Sequence, residues 1–298
     1  MKNYVVVHIM PYEIDWFEWQ AKQLKVGSVC FKDSDDEVII DATLNLNLVD
    51  WEKSQIPKQF FIDKFESIMT TCFDWCETIS DINQDRTCLG VDDKRRNSIR
   101  NTNDADNFIY LDCDVVFKPE TLKVLIDASK VVNTEYYIIS PQIPKLWDSS
   151  WDVLVNDYNL NDPWDNKTFV DPYSLLVQNY GQYQLKQIPV FKFGGGWFNL
   201  LSSSLLKVTD IPDSFGSYGS DDTYVMLCST AMRNAQKDVS QFVVDNLVVA
   251  ENHRYRVDNY AKYLLLLNNR IGDKEKAEVN LHSEVANFIN KMQNIQNE

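Results

Sequence analysis

Phe108-Ile109-Tyr110-Leu111-Asp112-Cys113-Asp114-Val115-Val116-Phe117 is the stretch on which the fold turns. An apolar run of this length predicts a buried strand, and the strand ends on two carboxylates one residue apart. Side chains alternate along extended backbone, so Asp112 and Asp114 are expected to point the same way as the chain leaves the sheet. Two carboxylates side by side resist joint ionisation unless a cation lies between them. Hard divalent ions such as Mg²⁺ or Mn²⁺ favour oxygen ligands of this kind. The end of a strand in an α/β sheet is also where such folds bind ligands.

Working outward, residues 5–9 read as a first strand and Pro11-Tyr12-Glu13 as the turn after it. Residues 16–24 carry apolar side chains at helical spacing, and 38–40 form a short strand that leaves the sheet at Asp41. Phe61, Phe65, Ile68, Met69, Cys72, Phe73 and Cys76 make a helical stripe that predicts core. A charged stretch, 81–107, precedes the diacid strand, with 98–107 read as weak helix or loop. Residues 119–131 read as a helix with Pro119 in its first turn, and 136–140 as another strand. Strands alternating with helices predict an α/β sheet with crossover helices. From 141 to 189 the pattern breaks into a loop-rich region holding Trp147, Trp151, Tyr158, Trp164 and Tyr173. A strand at 242–249 and two helices, at 260–269 and 279–292, complete the reading.

Bulk properties narrow the classes. The 298 residues are enough for one large domain or two small ones, and 44% hydrophobic with 24% charged residues is ordinary for a globular protein. A net charge of −15 opposes nonspecific nucleic-acid or anionic-membrane binding. It leaves room for phosphate binding through a metal ion, which supplies the missing positive charge. No segment has the length of apolar residues needed for a membrane span, and the apolar start is too short and too soon followed by Glu13 and Asp15 for a signal peptide. Of the six cysteines, Cys72 and Cys76 have helical spacing without a second pair to complete a zinc site. Free thiols in a reducing cytoplasm are expected.

Three further segments carry chemistry. Phe193-Gly194-Gly195-Gly196-Trp197 allows close approach of backbone to a ligand. Ser217-Tyr218-Gly219-Ser220-Asp221-Asp222 places a second acidic pair before an apolar helix, where the helix dipole favours negative charge and an N-cap role is equally open. His253 follows the strand at 242–249; alone, such a histidine is more often a surface residue than a ligand. Taken in order, these pieces resemble the inverting glycosyltransferases of the GT-A fold, close to the broad family 2, and also the β-1,4-galactosyltransferases. Those enzymes carry a strand ending in D-x-D, a G-G segment, a G-W-G-G-E-D segment and a later histidine. The family 2 pattern adds an Arg-Asn pair ahead of D-x-D, matched here by Arg96-Asn97. Tyr218 and Asp221 stand where the third motif has tryptophan and glutamate, and the usual V-D-D-G-S after strand two is reduced to Asp41-Ala42-Thr43.

The resemblance implies a GT-A, Rossmann-like mixed sheet flanked by helices over residues 1–257, with a nucleotide-sugar half of about 1–140, an acceptor half of about 141–257, and a C-terminal helical extension at 258–298. It implies transfer of a sugar from a nucleotide-diphosphate sugar, UDP-linked by family frequency, to a carbohydrate hydroxyl. Asp222 would be the general base and Asp221 a sugar ligand. Asp112, Asp114 and His253 would hold Mn²⁺ or Mg²⁺, with Asp114 the direct ligand and Asp112 also serving the ribose. Pro11, Tyr12, Glu13 and Asp41 would line the nucleoside mouth, and Arg96, Gly195, Gly196 and Trp197 would lie along the donor. The aromatic residues between 141 and 189 would either face an acceptor sugar or pack in the core. Three other readings are weighed here: a phosphatase of the haloacid-dehalogenase type built on Asp112 and Asp114, a retaining GT-A transferase, and a sugar- or nucleotide-binding protein that has lost catalysis, although no metal or base residue of the pattern is missing. A cytoplasmic enzyme without a transmembrane anchor is expected.

Overall fold

A computed structural model describes residues 1–46, 56–84, 90–142, 176, 182–189, 191, 196–216, 219–251 and 260–296. Its centre is an eight-stranded sheet. The first strands are β1 (Lys2–Ile9), β2 (Glu37–Asn45), β3 (Glu77–Asn83) and β4 (Asn107–Leu111). A short β5 (Val115–Val116) stands outside the sheet, and β6 (Tyr136–Gln142), β7 (Gln184–Ile188), β8 (Phe198–Ser202) and β9 (Val239–Val248) complete it. The spatial order is β3-β2-β1-β4-β8-β6-β9-β7. Pairings β1–β2, β2–β3, β1–β4 and β6–β9 are parallel, whereas β8 runs antiparallel to both β4 and β6, and β7 antiparallel to β9. The sheet is therefore mixed, with helices on both faces, as expected for an α/β chain.

The central strands are buried on both faces, which is why they read as nearly continuous apolar runs. Alternation divides them between two cores. Val5, Val7, Ile9, Ile109 and Leu111 face α1 (Ile14–Gly27), α2 (Lys58–Cys72) and α4 (Thr121–Lys130), packing with Phe17, Phe65, Leu125 and Ile126. Tyr4, Val6, Phe108 and Tyr110 face the other layer, which holds α5 (Ser203–Thr209) and α6 (Asp221–Asn234), with Leu205, Leu206, Tyr224 and Val225. The helix α7 (Tyr260–Gln296) joins this second layer by burying Ala277 and Phe288. Its Asn280 side chain donates to the Ser214 carbonyl at 3.0 Å. The chain therefore ends in one continuous helix where periodicity predicts two.

Two other expectations change. The second strand does not leave the sheet at Asp41 but runs four residues further, to Asn45, in register with β1 and β3. Asp41 and Thr43 interrupt its apolar pattern on one face only, and an interrupted face does not end a ladder. The helical pair Cys72 and Cys76 is also broken, because α2 ends at Cys72 and Cys76 lies in the turn before β3. Cys30, Cys72, Cys76, Cys113 and Cys228 are free thiols, as expected; Cys88 lies outside the described residues.

The first strand is followed by β2 on one side and has β4 on its other side, so strand order reverses between β1 and β4. Carboxyl ends of strands at such a reversal form the crevice of open α/β sheets. The Pro11–Glu13 turn and the Asp112–Asp114 turn both stand there. No helix among the described residues is long and apolar enough to cross a membrane.

The contact of α1 with the approach to α4 leaves no room at Gly27. A β-carbon there would stand 2.0 Å from the Pro119 carbonyl oxygen, which is backbone and cannot swing aside. Gly27→Ala is therefore expected to lower unfolding free energy by about 1–3 kcal/mol, the usual range for overpacking. Urea denaturation with an unchanged slope would report it; a midpoint equal to the wild type would contradict the contact.

Candidate active site

The polar stretch before the diacid strand folds as α3 (Val91–Asn101), a helix whose buried face is charged. Asp92, Lys94, Arg95, Arg96 and Ser98 are buried beside a single apolar residue, Ile99. Gly90 N–H donates to the Asp93 carboxylate at 3.1 Å and closes the first turn. A helix without an apolar stripe enters a core only if each buried charge finds a partner. Lys94 pairs with Asp41, whose other oxygen accepts the Ser98 hydroxyl at 2.5 Å. Arg95 points along the sheet to its carboxyl edge. It lies over the Tyr110 ring, 4.6 Å from the centroid, and donates to Asp112 Oδ1 at 2.8 Å and to Asp221 Oδ2 at 2.7 Å. Burial disfavours its charge, but Asp221 and Asp112 more than compensate and hold it firmly protonated.

The D-x-D segment is a turn, not extended backbone. Val115 N–H donates to the Asp112 carbonyl at 3.2 Å, so strand alternation does not set the direction of Asp112 and Asp114. Gln20, wholly buried on α1, holds this turn from below by donating to the carbonyls of Asp112 at 2.8 Å and Val115 at 2.7 Å. From the other side, Asp112 and Trp197 exchange two bonds. Asp112 N–H donates to the Trp197 carbonyl at 2.8 Å, and Trp197 N–H donates to Asp112 Oδ2 at 2.7 Å. This needs left-handed backbone at Gly196 (φ 43) and Trp197 (φ 52), a conformation a bulky residue adopts only under constraint. The Trp197 side chain lies in the first core, so its contribution at the edge is an amide, not an aromatic face. Gly195 lies outside the described residues.

Asp221 and Asp222 open α6, reached through positive-φ residues at Gly216, Gly219 and Ser220. Ser220 makes no side-chain cap bond, and Asp221 is used by Arg95 rather than as a cap. Asp222 Oδ1 accepts from its neighbour Thr223, N–H at 2.6 Å and hydroxyl at 3.2 Å. Desolvation first, and the Asp221 charge second, raise Asp222 to about 6.

Arg96 lies elsewhere than the donor path expected for it. It donates to the carbonyls of Ile211 at 3.0 Å, Pro212 at 2.7 Å and Gly216 at 3.1 Å, and to Asp93 at 2.7 Å. It holds the loop that delivers Asp221. Asp41, in mid-strand and neutralised by Lys94, is 5% exposed and does not line the mouth. Pro11 is buried and Tyr12 half-buried at the end of β1, and Glu13 accepts from Met10 N–H at 2.8 Å to fasten that turn. The structure thus brings together Asp112, Asp221, Asp222 and the Trp197 amide through Arg95, which spacing did not single out. The available signal was a dense charge run just before a buried strand.

Among the described residues no three His, Cys, Asp or Glu side chains form a metal cage, and His253 lies outside them. The described chain reaches Glu251 in β10 (Ala250–Glu251), which pairs with β5 so that Glu251 stands opposite Val115, next to Asp114. Each Asp112 oxygen accepts one hydrogen bond, and Asp114 sits half-buried on the turn.

No protein-family model and no curated protein matches the chain. Among solved structures, S. aureus TarS is similar over 97% of this chain and 43% of its own, at 13% identity and a TM-score of 0.46. A TarS 1–349 structure covers 97% of this chain and 71% of its own, at 11% identity and a TM-score of 0.48. GalNAc-T7 with UDP, GalNAc and Mn²⁺ covers 84% of this chain and 44% of its own, at 11% identity and a TM-score of 0.47. The chain spans less than half the length of the TarS and GalNAc-T7 chains in two of these.

Removing Arg95 would leave two carboxylates without their cation, one of them in the interior. Arg95→Met is expected to destabilise the protein by about 3–5 kcal/mol at neutral pH, the usual loss on breaking a buried pair. Chemical denaturation checks it. A loss below about 1 kcal/mol, the worth of an exposed pair, would show that the bridge does not hold the edge together.

Proposed function

We propose that the protein is a metal-dependent inverting glycosyltransferase that moves a sugar from a nucleotide-diphosphate donor, UDP-linked in our reading, to a carbohydrate hydroxyl. The observation that carries this is the Arg95 bridge. It ties the first acid of D-x-D to the acidic pair of α6 at the point where strand order reverses. In this reading the donor lies at the Asp112 end of the guanidinium, and the base follows Asp221 at its other end.

In this reading the acceptor oxygen attacks the anomeric carbon and the bond from that carbon to the diphosphate oxygen breaks, with the electron pair leaving on the diphosphate. Asp222 takes the acceptor proton as general base. A group raised to about 6 is ionised at neutral pH yet basic enough to accept that proton. Asp221, oriented by Arg95, binds the sugar. Asp112, whose oxygens accept from Arg95 and the Trp197 amide, would orient the ribose or a water on the cation. Asp114 would be the direct ligand of the cation, with His253 as the second, and an imidazole among the ligands would lean towards Mn²⁺ over Mg²⁺. When bound, the cation supplies Lewis-acid stabilisation of the departing diphosphate. Pro11, Tyr12 and Glu13 shape the nucleoside mouth. Trp147, Trp151, Tyr158, Trp164 and Tyr173, proposed for the acceptor, lie outside the described residues. The dehalogenase-type phosphatase needs Asp112 as a free nucleophile on the opening strand. Here it is bridged to Arg95 and Trp197 and follows the fourth strand.

Thermal unfolding with UDP, GDP and CMP, each with Mn²⁺ or chelator, tests donor binding. A nucleotide at a hundred times its dissociation constant should stabilise the fold by about 2.7 kcal/mol. That gain should require Mn²⁺ and disappear in Asp114→Ala; no gain with any nucleotide would overturn the reading. Once a donor is found, transfer should rise with pH through about 6, the range in which Asp222 loses its proton. Asp222→Asn should retain donor binding and lose transfer by at least about a hundredfold. Near-normal turnover would place the base elsewhere.

A further inference from the structure

Asp92 is buried in α3 with 0% exposure, and neither carboxylate oxygen has a hydrogen-bond partner among the described residues. Every other buried charge on that helix is matched. Lys94 belongs to Asp41 and Arg96 to Asp93 and three carbonyls. Arg95, one turn beyond Asp92, is taken by Asp112 and Asp221, and even the exposed Arg100 pairs with Asp210 and Asp213. Four carboxylates, those of Asp92, Asp112, Asp221 and Asp222, thus share the field of one guanidinium, and Asp92 has no hydrogen bond to it. The groups that face it are Arg95 on its own helix, Tyr110 on β4, the Gly219 amide, and Asp221 and Asp222 on α6. The Tyr110 hydroxyl is likewise buried without a partner among the described residues.

An ionised carboxylate in that position would be a buried charge without compensation, which proteins avoid by keeping the proton. We propose that Asp92 is carried as a neutral carboxylic acid and is a positioning residue for Asp222, its hydroxyl donating towards Asp221 so that the acidic pair and Arg95 keep one arrangement. Burial, and then the Asp221 charge, hold Asp92 well above the usual carboxylate range, in agreement with the geometry. The significance of the arrangement rests on the reading of Asp222 as the base. A donor to Asp221 disperses part of the charge that Asp222 feels, so its removal should make Asp222 harder to ionise.

Neither of the following readouts uses a substrate, so each fails or succeeds apart from the transferase reading. The first is thermal unfolding of wild type and Asp92→Asn from about pH 4 to about pH 8. A carboxyl raised in the folded state costs stability as pH climbs from its unfolded value near 3.9 through its folded value, and an amide does not. The Asn variant should match the wild type near pH 4 and melt about 2–4 °C higher near pH 8. A difference that stays constant with pH, or wild type the more stable near pH 8, would overturn the neutral acid. The second is carboxyl-carbon NMR titration of Asp222 in both proteins and in Asp92→Leu. Asp92→Asn keeps a donor and should leave the Asp222 midpoint in place, whereas Asp92→Leu removes it and should move the midpoint upward. An unmoved midpoint in Asp92→Leu would reduce Asp92 to a packing role, and if that variant does not fold, a shifted midpoint in Asp92→Asn would refute the positioning role just as directly.

Discussion

A guanidinium with 5% exposure is a costly thing to bury, and Arg95 stays charged because two carboxylates from distant parts of the chain meet it. That requirement constrains everything around it. The Asp112 turn must stop at one place, which Gln20 ensures from α1 and the Trp197 amide from the turn before β8. The α6 helix must start at one place, which Arg96 secures by holding the carbonyls of the preceding loop. Tyr110 must present its ring beneath the guanidinium, and the alternation of β4 puts it there. Remove the cation and each support still exists, but nothing defines the distance between the two acidic edges.

The charged helix α3 is the element least like the rest of the fold. Replacing buried ion pairs with apolar residues often leaves proteins as stable or more so, so such pairs are weak evidence of a stability role. Here three successive cations on one helix address three different structures: Lys94 the middle of β2, Arg95 the carboxyl edge of the sheet, and Arg96 the loop before α6. A helix built this way orients parts of the site relative to one another, which an apolar stripe does without direction. Places where local sequence rules fail are often functional for this reason.

Much of the fold was legible because apolar periodicity reports burial. The strands at 5–9 and 136–140, the stripe from Phe61 to Cys72 and the helix after Pro119 all follow from spacing alone, with ends shifted by a few residues. Spacing misleads where polarity and burial part company. Asp41 looked like a strand end because a carboxylate rarely sits in mid-strand, and Lys94, which makes it tolerable, is 53 residues away in the chain. Arg96 matched a family offset, yet its neighbour on the helix is the residue that reaches the acids. Adjacent helical positions differ by about 100° in direction, so one step of sequence separates a loop clamp from a site residue.

By itself, then, the sequence determined an α/β chain, a strand ending in Asp112, and a second acidic pair opening a helix, since each depends only on local period and local turn chemistry. Tertiary structure alone decided that these acids share Arg95, because its partners lie 17 and 126 residues away and no local pattern encodes a contact between them. It also decided that D-x-D is a turn, that the Gly196-Trp197 segment offers an amide, and that Asp92 has no hydrogen bond to that guanidinium. Each of those follows from which charges burial brings together, and that depends on long-range packing.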